Sequence, residues 1–128
     1  MSTTAEGTDQ QGPARVLIVE DEPMIAANLK SILEESGYAV SGFARKLETA
    51  LEIIESGDLD AAILDANLGG VSASPAASAL AARGLPFIVL SGYSREQLQG
   101  DFSGGLFIQK PYRMEQLIDG MRRVLAAR

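Results

Sequence analysis

Residues 15–23 read RVLIVEDEP, in which four apolar residues in a row lead into three acidic residues and a proline. The run FIVL at residues 87–90 has the same continuous apolar character. Strands covered by helices on both faces read as continuous apolar runs, whereas strands with one wet face alternate apolar and polar residues. These two stretches therefore predict a parallel sheet between two helical layers, the three-layer sandwich of α/β proteins.

Five strand-like stretches alternate with helix-like stretches at intervals of roughly 20 to 25 residues, the spacing of repeated βαβ units. The predicted strands are RVLIVE (15–20), YAVSGFA (38–44), AAILD (61–65), PFIVLS (86–91) and GLFIQ (105–109). The last helix has the clearest apolar stripe, which consists of Met114, Leu117, Ile118, Met121, Val124 and Leu125. The whole pattern predicts a doubly wound (βα)5 domain around a five-stranded parallel sheet.

Two helices are less regular in sequence than the last one. An Ala-rich helix is expected to begin at Pro75, behind a capping Ser74, and to run to Arg83. After the fourth strand, only residues 94–99 have a helix-forming composition, and glycines interrupt the stretch up to Gly105. We therefore predict that any fourth helix is short.

Composition excludes several classes of function. The net charge of −6, from 11 Lys and Arg against 17 Asp and Glu, disfavours nonspecific binding to nucleic acid or to an anionic membrane. The chain has no Cys and no His, which excludes disulfides, thiolate or imidazole metal sites, and Cys or Ser/His catalytic pairs. Any chemistry must therefore use carboxylates, hydroxyls and lysines.

The length of 128 residues suits one soluble domain. Residues 1–13 have no apolar periodicity, so we expect a flexible N-terminal tail followed by a single domain over residues 14–128. No apolar run approaches the roughly 18 residues of a membrane span, and the N-terminus lacks the basic-then-apolar order of a signal peptide. A cytoplasmic location is expected.

Polar side chains close four of the five predicted strands. They are Glu20 and Asp21 after the first strand, Asp65 after the third, Ser91 after the fourth, and Lys110 followed by Pro111 after the fifth. Ligands of parallel α/β sheets bind beyond the carboxyl ends of the strands. If these strands are neighbours, three carboxylates, one hydroxyl and one ammonium group meet at a single edge.

Such a set of groups suits phosphoryl chemistry. Clustered carboxylates repel one another unless a hard cation neutralises them, and oxygen-only ligands favour Mg²⁺, which typically takes one or two carboxylates plus phosphate oxygens. A carboxylate can itself accept a phosphoryl group as a nucleophile. We expect Asp65 to be that nucleophile, with Ser91 and Lys110 binding the phosphoryl oxygens.

The pieces RVLIVEDEP, ILDANL, VLSGY and FIQKP, in this order, resemble the receiver domain of two-component response regulators. The resemblance covers nearly everything from Ala14 onward and implies the flavodoxin-like strand order 2-1-3-4-5. The phrase VLSGYS is further similar to a subfamily, often found as single domains in alphaproteobacteria, that has Thr-Gly-Tyr after the fourth strand. In this chain Ser91 stands in place of the Thr.

The resemblance implies a role for each polar residue at the strand ends. Asp65 matches the phosphoacceptor, and Glu20 with Asp21 matches the acidic pair that holds Mg²⁺. Asn67 matches the position whose backbone carbonyl completes the metal shell. The family pattern Leu-Pro-Gly after the acceptor is Leu-Gly-Gly here, at residues 68–70.

The remaining matches concern the conformational response. Ser91 matches the switch hydroxyl and Lys110 the invariant lysine. Pro111 matches the cis-proline that follows this lysine, and Phe107 matches the switch aromatic, although an aromatic on a strand is more often core. Tyr93 and Phe102 are either exposed docking residues or a cover for the short fourth helix.

Taken with the resemblance, the sequence predicts a stand-alone signalling switch. It accepts a phosphoryl group from a histidine kinase or a phosphotransfer protein, loses it by hydrolysis, and docks on a downstream protein through the region after the fourth strand. Beyond this reaction on itself it is not expected to be an enzyme. Two alternatives remain open, a phosphate sink and a phosphorylation-independent interaction module. A phosphohydrolase is disfavoured because no second Asp follows Asp65 by two residues, and a nucleotide-binding fold is disfavoured because no Gly-rich nucleotide loop follows the first strand.

Overall fold

The computed structural model describes residues 12–127, so the proposed tail lies outside the described residues except for its last two. Its strands are β1 (Arg15–Val19), β2 (Ala39–Ala44), β3 (Ala61–Asp65), β4 (Asn67–Leu68), β5 (Val71–Ser72), β6 (Phe87–Ser91) and β7 (Leu106–Gln109). Five of them form a parallel sheet in the order β2-β1-β3-β6-β7. Since β6 and β7 are the predicted fourth and fifth strands, the order 2-1-3-4-5 is confirmed.

Within the described residues, four helices cover the sheet: α1 (Pro23–Glu35), α2 (Leu47–Ser56), α3 (Ser74–Ala82) and α4 (Met114–Ala126). Alternate residues of each central strand point to opposite faces. On one face, Leu17 and Val19 of β1 pack in a core with α2 and α3, and on the other face Val16 and Ile18 pack with α1 and α4. The predicted three-layer sandwich is therefore confirmed, and the sheet lies buried between its two helical layers.

The helix ends differ from the sequence prediction in two places. Ser74 is the first residue of α3 and does not cap it; the helix begins after Ala73 and ends at Ala82, with Arg83 as the C-cap. The hydroxyl at the helix start belongs to Ser72, which accepts a hydrogen bond from the Ser74 N–H at 3.2 Å. In α4, Met114 is exposed, so the apolar stripe packs only from Leu117 onward.

The region after β6 contains a single turn of 3-10 helix, Arg95–Gln97, which confirms that the fourth helix is short. The Gln97 side chain closes the start of this turn, since the Ser94 N–H donates to Gln97 Oε1 at 2.9 Å. No helix within residues 12–127 combines the length and the apolar character that crossing a lipid bilayer requires.

A small β-hairpin follows Asp65, which the sequence did not predict. Strands β4 and β5 pair antiparallel, with Asn67 opposite Ser72. The two residues between the strands, Gly69 and Gly70, have φ of +62° and +96°, the left-handed conformations that a tight two-residue hairpin turn requires. The Asn67 side-chain oxygen accepts the Gly70 N–H at 2.7 Å and closes the turn. Leu68, Gly69 and Gly70 thus form a hairpin turn between β4 and β5.

Candidate functional site

Three carboxylates meet at the carboxyl edge of the sheet. Glu20 and Asp21 follow β1, Asp65 ends β3, and the two strands are paired with Val19 opposite Leu64. One carboxylate oxygen from each of the three residues lies within 4.8 Å of the others. Parallel pairing of adjacent strands thus brings together the acidic residues that the sequence analysis singled out.

Glu20 is the most deeply buried member of this cluster, with 2% of its surface exposed. Its Oε2 accepts the Glu22 N–H at 3.1 Å, but Oε1 receives no hydrogen bond from any residue in the described range 12–127. Burial, and after it the charge of Asp65, raises the pKa of Glu20 to about 7. A buried carboxylate oxygen without a partner is costly, and a bound cation would remove that cost. The donor set, all oxygen, fits Mg²⁺.

Asp65 is held on both of its carboxylate oxygens. Lys110 Nζ lies 2.9 Å from Asp65 Oδ2, and the Asn67 N–H donates to Asp65 Oδ1 at 3.0 Å. Only 12% of the Asp65 side chain is exposed. Burial lowers the pKa of Lys110, but the hydrogen bond and charge of Asp65 and the charge of Glu20 outweigh it, so the pKa is raised overall. Lys110 therefore carries a full positive charge at neutral pH.

Ser91 ends β6, which pairs with β3 so that Leu90 lies opposite Asp65. The residue is buried, and its hydroxyl oxygen accepts the Tyr93 N–H at 3.0 Å. The Ser91 carbonyl accepts the Lys110 N–H at 2.7 Å, which ties the ends of β6 and β7 together. The peptide bond between Lys110 and Pro111 is cis. Serine, lysine and proline therefore lie at the same edge as the three carboxylates.

Phe107 does not belong to this cluster. It lies inside β7 opposite Val89, two residues before the level of Ser91, and its half-buried ring packs against the core shared with α2 and α3. The Arg95 guanidinium carbon lies 5.4 Å from the ring centre, a cation–π contact. A cavity of about 160 Å³ next to the ring is lined by Val89, Arg95, Leu98, Gly100, Phe102, Ser103 and Phe107.

The two aromatic residues left open by the sequence have different environments. Phe102 is buried in the core at 8% exposure, so it covers the sheet beneath the 3-10 turn. Tyr93, in contrast, is 59% exposed and lines a cavity of about 420 Å³ between the hairpin and residues 97–99. Of these two aromatic residues, Tyr93 is therefore the one that a partner could contact at the surface.

Sequence reasoning missed two residues around the site. Tyr112 is half-buried directly after the cis-proline. Burial raises its pKa; the charge of Lys110 lowers it, and the charges of Glu20 and Asp65 raise it further. The sequence signal that could have identified Tyr112 is its position two residues after Lys110. Arg45 donates from Nε to the Asp21 carbonyl at 3.4 Å. Nothing in the sequence pattern indicated Arg45, because it follows β2, the strand that contributes no polar end to the cluster.

This arrangement has the groups for one class of chemistry. Two carboxylates beside a third provide oxygen ligands for a divalent cation, and the third, Asp65, is itself positioned by an ammonium group. A carboxylate nucleophile, a cation site and hydrogen-bond donors for oxyanions are the elements of phosphoryl transfer to a carboxylate.

Comparison with known proteins points the same way. A family model described as the response regulator receiver domain matches residues 16–122. The transcriptional regulatory protein PdtaR of Mycobacterium tuberculosis is 31% identical over 122 residues, which is 92% of this chain and 60% of PdtaR. This chain thus spans less than two thirds of that relative's length.

Two solved structures of similar proteins are those of SdrG and PhyR. SdrG from Sphingomonas melonis Fr1 has 38% identity and a TM-score of 0.75, covering 88% of this chain and 97% of that one. The response regulator PhyR from Brucella abortus has 25% identity and a TM-score of 0.78, covering 90% of this chain and 49% of that one.

Proposed function

The chain belongs to the response regulator receiver domain family, and from that premise we propose that Asp65 accepts a phosphoryl group in a Mg²⁺-dependent reaction. The observation that carries the proposal is the joint environment of two carboxylates. Asp65 is fixed by Lys110 at 2.9 Å, while the neighbouring Glu20 keeps a buried oxygen that no described residue bonds. The ion pair with Lys110 accounts for the first contact, and a bound cation would give the Glu20 oxygen the partner that no residue in the range 12–127 supplies.

The reaction follows from the groups at the site. A carboxylate oxygen of Asp65 attacks the phosphorus of the donor, an O–P bond forms, and the bond from phosphorus to the donor's leaving group breaks. For a phosphorylated histidine the leaving group is the imidazole nitrogen, and the product on this chain is an acyl phosphate. Hydrolysis of that acyl phosphate returns the carboxylate and inorganic phosphate.

Each neighbouring residue has a part in this reaction. Lys110 supplies a fixed positive charge to the phosphoryl oxygens, and the Ser91 hydroxyl supplies a hydrogen-bond donor. Glu20, Asp21, Asp65 and the backbone carbonyl of Asn67 would hold Mg²⁺. When bound, the ion neutralises the charge that develops on the phosphoryl oxygens during transfer.

The proposed partners are proteins. The phosphoryl donor is a histidine kinase or a histidine phosphotransfer protein, and the downstream target docks on the region after β6, where Tyr93 is exposed. Nucleic acid and membrane are not proposed as partners, because the net charge of −6 opposes both. We place this exchange in the cytoplasm, in keeping with the sequence-based expectation.

The proposal is tested by incubating the protein with acetyl phosphate and Mg²⁺ and measuring its intact mass. We expect a gain of one phosphoryl group that is absent with a chelator and absent in Asp65→Asn. The matched control is Asp119→Asn, an exposed aspartate of α4, which should be phosphorylated like the unchanged protein. Persistent phosphorylation of the Asp65→Asn protein would overturn the assignment.

A further inference from the structure

The hairpin after Asp65 is in contact with the segment after β6, and this contact is separate from Ser91 and Phe107. Ser72 lies in β5, and its hydroxyl donates to the Gln99 carbonyl at 2.7 Å. The same oxygen accepts a hydrogen bond from the Ser74 N–H at 3.2 Å, which links it to the first residue of α3. One hydroxyl therefore connects three parts of the chain.

On its other side the hairpin is attached to the phosphoacceptor itself. The Asn67 N–H donates to Asp65 Oδ1, and Asn67 is the cross-strand partner of Ser72. A short chain of contacts thus runs from the Asp65 carboxylate to Asn67, across the hairpin to Ser72, and on to Gln99. The Asn67 side chain closes this hairpin, so Asn67 and Ser72 belong to a single hydrogen-bonded unit.

The segment is built to approach Ser72 closely at this point. Gly100 has φ of +97°, and a Cβ atom there would lie 2.2 Å from Ser74 Oγ and 3.3 Å from Ser72 Oγ. Only glycine allows this approach, both for its backbone conformation and for lack of space. Next to the contact, the cavity of about 420 Å³ lined by both the hairpin and residues 97–99 leaves room for the segment to shift.

From these contacts we infer that Ser72 is a positioning residue that couples the state of Asp65 to the segment Arg95–Gly100 through the hairpin. The inference rests on the proposed function, because the change at Asp65 is its phosphorylation. Phosphorylation of an Asp65 oxygen, and ligation of a cation by the Asn67 carbonyl, would both alter the position of Asn67. Through its hydrogen bond, Ser72 then displaces Gln99. This coupling is independent of the Ser91 hydroxyl.

The test compares amide hydrogen exchange of residues 95–101 with and without beryllofluoride and Mg²⁺. We expect Ser72→Ala to reduce the beryllofluoride-dependent change in these residues by about threefold or more, the scale set by one lost hydrogen bond. Ser72→Thr, which keeps the hydroxyl, should show the full beryllofluoride-dependent change in these residues. The matched control is Ser78→Ala, an exposed serine of α3, which should leave it intact.

A second variant tests the same contact from the opposite side. Gly100→Ala places a methyl group against Ser74, pushes the segment away from Ser72, and should reduce the change as Ser72→Ala does. Phosphorylation of every variant is measured by intact mass. If the unchanged protein is phosphorylated and Ser72→Ala retains the full exchange response, the coupling role is wrong and the proposed function stands. If the unchanged protein gains no phosphoryl group, the proposed function itself fails.

Discussion

The acidic site and the segment after β6 share one edge of the sheet, but they are held in opposite ways. Glu20 follows β1 and Asp65 ends β3, two buried and paired strands, and each carboxylate accepts a hydrogen bond from the backbone N–H two residues further along the chain. The segment 92–105 has one turn of 3-10 helix, a cation–π contact from Arg95, and glycines at positions 92, 100, 104 and 105.

This difference separates chemistry from response. Reacting groups need fixed positions, which buried strands supply, whereas a surface that changes on phosphorylation needs two arrangements of similar free energy. Regions with little regular structure and few buried contacts open at low cost. The 160 Å³ and 420 Å³ cavities on either side of the segment give it space to rearrange.

The largest effect is expected at the acidic site, from removal of Lys110. In Lys110→Ala, we expect the rate of phosphorylation by acetyl phosphate with Mg²⁺ to fall by about 100-fold or more, because a preorganised charge at the phosphoryl oxygens is lost. The rate is measured from the time course of intact mass. Lys30→Ala, which removes an exposed lysine of α1, serves as the control. An unchanged rate in Lys110→Ala would contradict the role given to the ammonium group.

Removing Asp21 should weaken metal binding without disturbing the core, since this carboxylate is only half-buried. We expect the Mg²⁺ affinity of Asp21→Ala to fall by about tenfold or more, because a charged ligand and a counter-charge are lost together. Titration calorimetry measures the affinity, with Asp58→Ala, at an exposed carboxylate outside the cluster, as the control. Equal affinities in Asp21→Ala and the control would show that the ion binds elsewhere.

The raised pKa of Glu20 makes the metal-free protein sensitive to pH. The pKa of the Glu20 carboxyl is about 7 in the folded chain, against an ordinary value of 4.5. Between pH 4.5 and pH 7 the unfolded chain therefore binds fewer protons than the folded chain. The free energy of unfolding without Mg²⁺ should therefore fall as pH rises from about 5 to 7, by about 1–2 kcal/mol.

Urea denaturation at several pH values measures this dependence. Glu20→Gln cannot ionise at this position, so it should lose that part of the pH dependence while the rest of the profile is retained. Mg²⁺ at high concentration should also reduce the decline, since the ion stabilises the charged carboxylate. A decline of the same size in Glu20→Gln would assign it to other groups.

The smallest effect is expected in the segment after β6. Arg95→Ala removes the cation above Phe107, and at a largely exposed site such a contact contributes about 0.5–1 kcal/mol. We expect the free energy of unfolding to fall by no more than that, measured by urea denaturation beside the exposed control Arg122→Ala. A loss of several kcal/mol would show that the segment is held as firmly as the acidic site, and the contrast between the two regions would disappear.

The sequence predicted the sheet and the acidic cluster because both depend on strong local patterns. Continuous apolar runs identify the strands, and the polar residues that end them meet at one edge once the strands are parallel neighbours. The hairpin at residues 67–72 escaped prediction because strands of two residues are too short to show alternation. At the start of α3, the hydroxyl that accepts a helix N–H belongs to Ser72 and not to the predicted Ser74.

Other features depend on packing that has no sequence period. Phe102 and Tyr93 lie in the same glycine-rich stretch, and only the fold decides that one is buried and the other exposed. The unbonded oxygen of Glu20 is likewise a property of the assembled site, since its neighbours come from separate strands. Residue types at strand ends predicted which groups meet, but not which of their atoms remain without partners.

The most direct test of the account is amide hydrogen exchange across the whole chain with and without beryllofluoride and Mg²⁺. We predict that exchange changes chiefly in residues 91–112, and that Ser91→Ala is still phosphorylated but shows a smaller change. Residues in α2, whose Ala50 and Ile54 are buried in the core, should stay unaffected and provide the internal control. Changes confined to the loop around Asp65, with none beyond Ser91, would mean that the chain carries phosphate without switching, as a phosphate sink does.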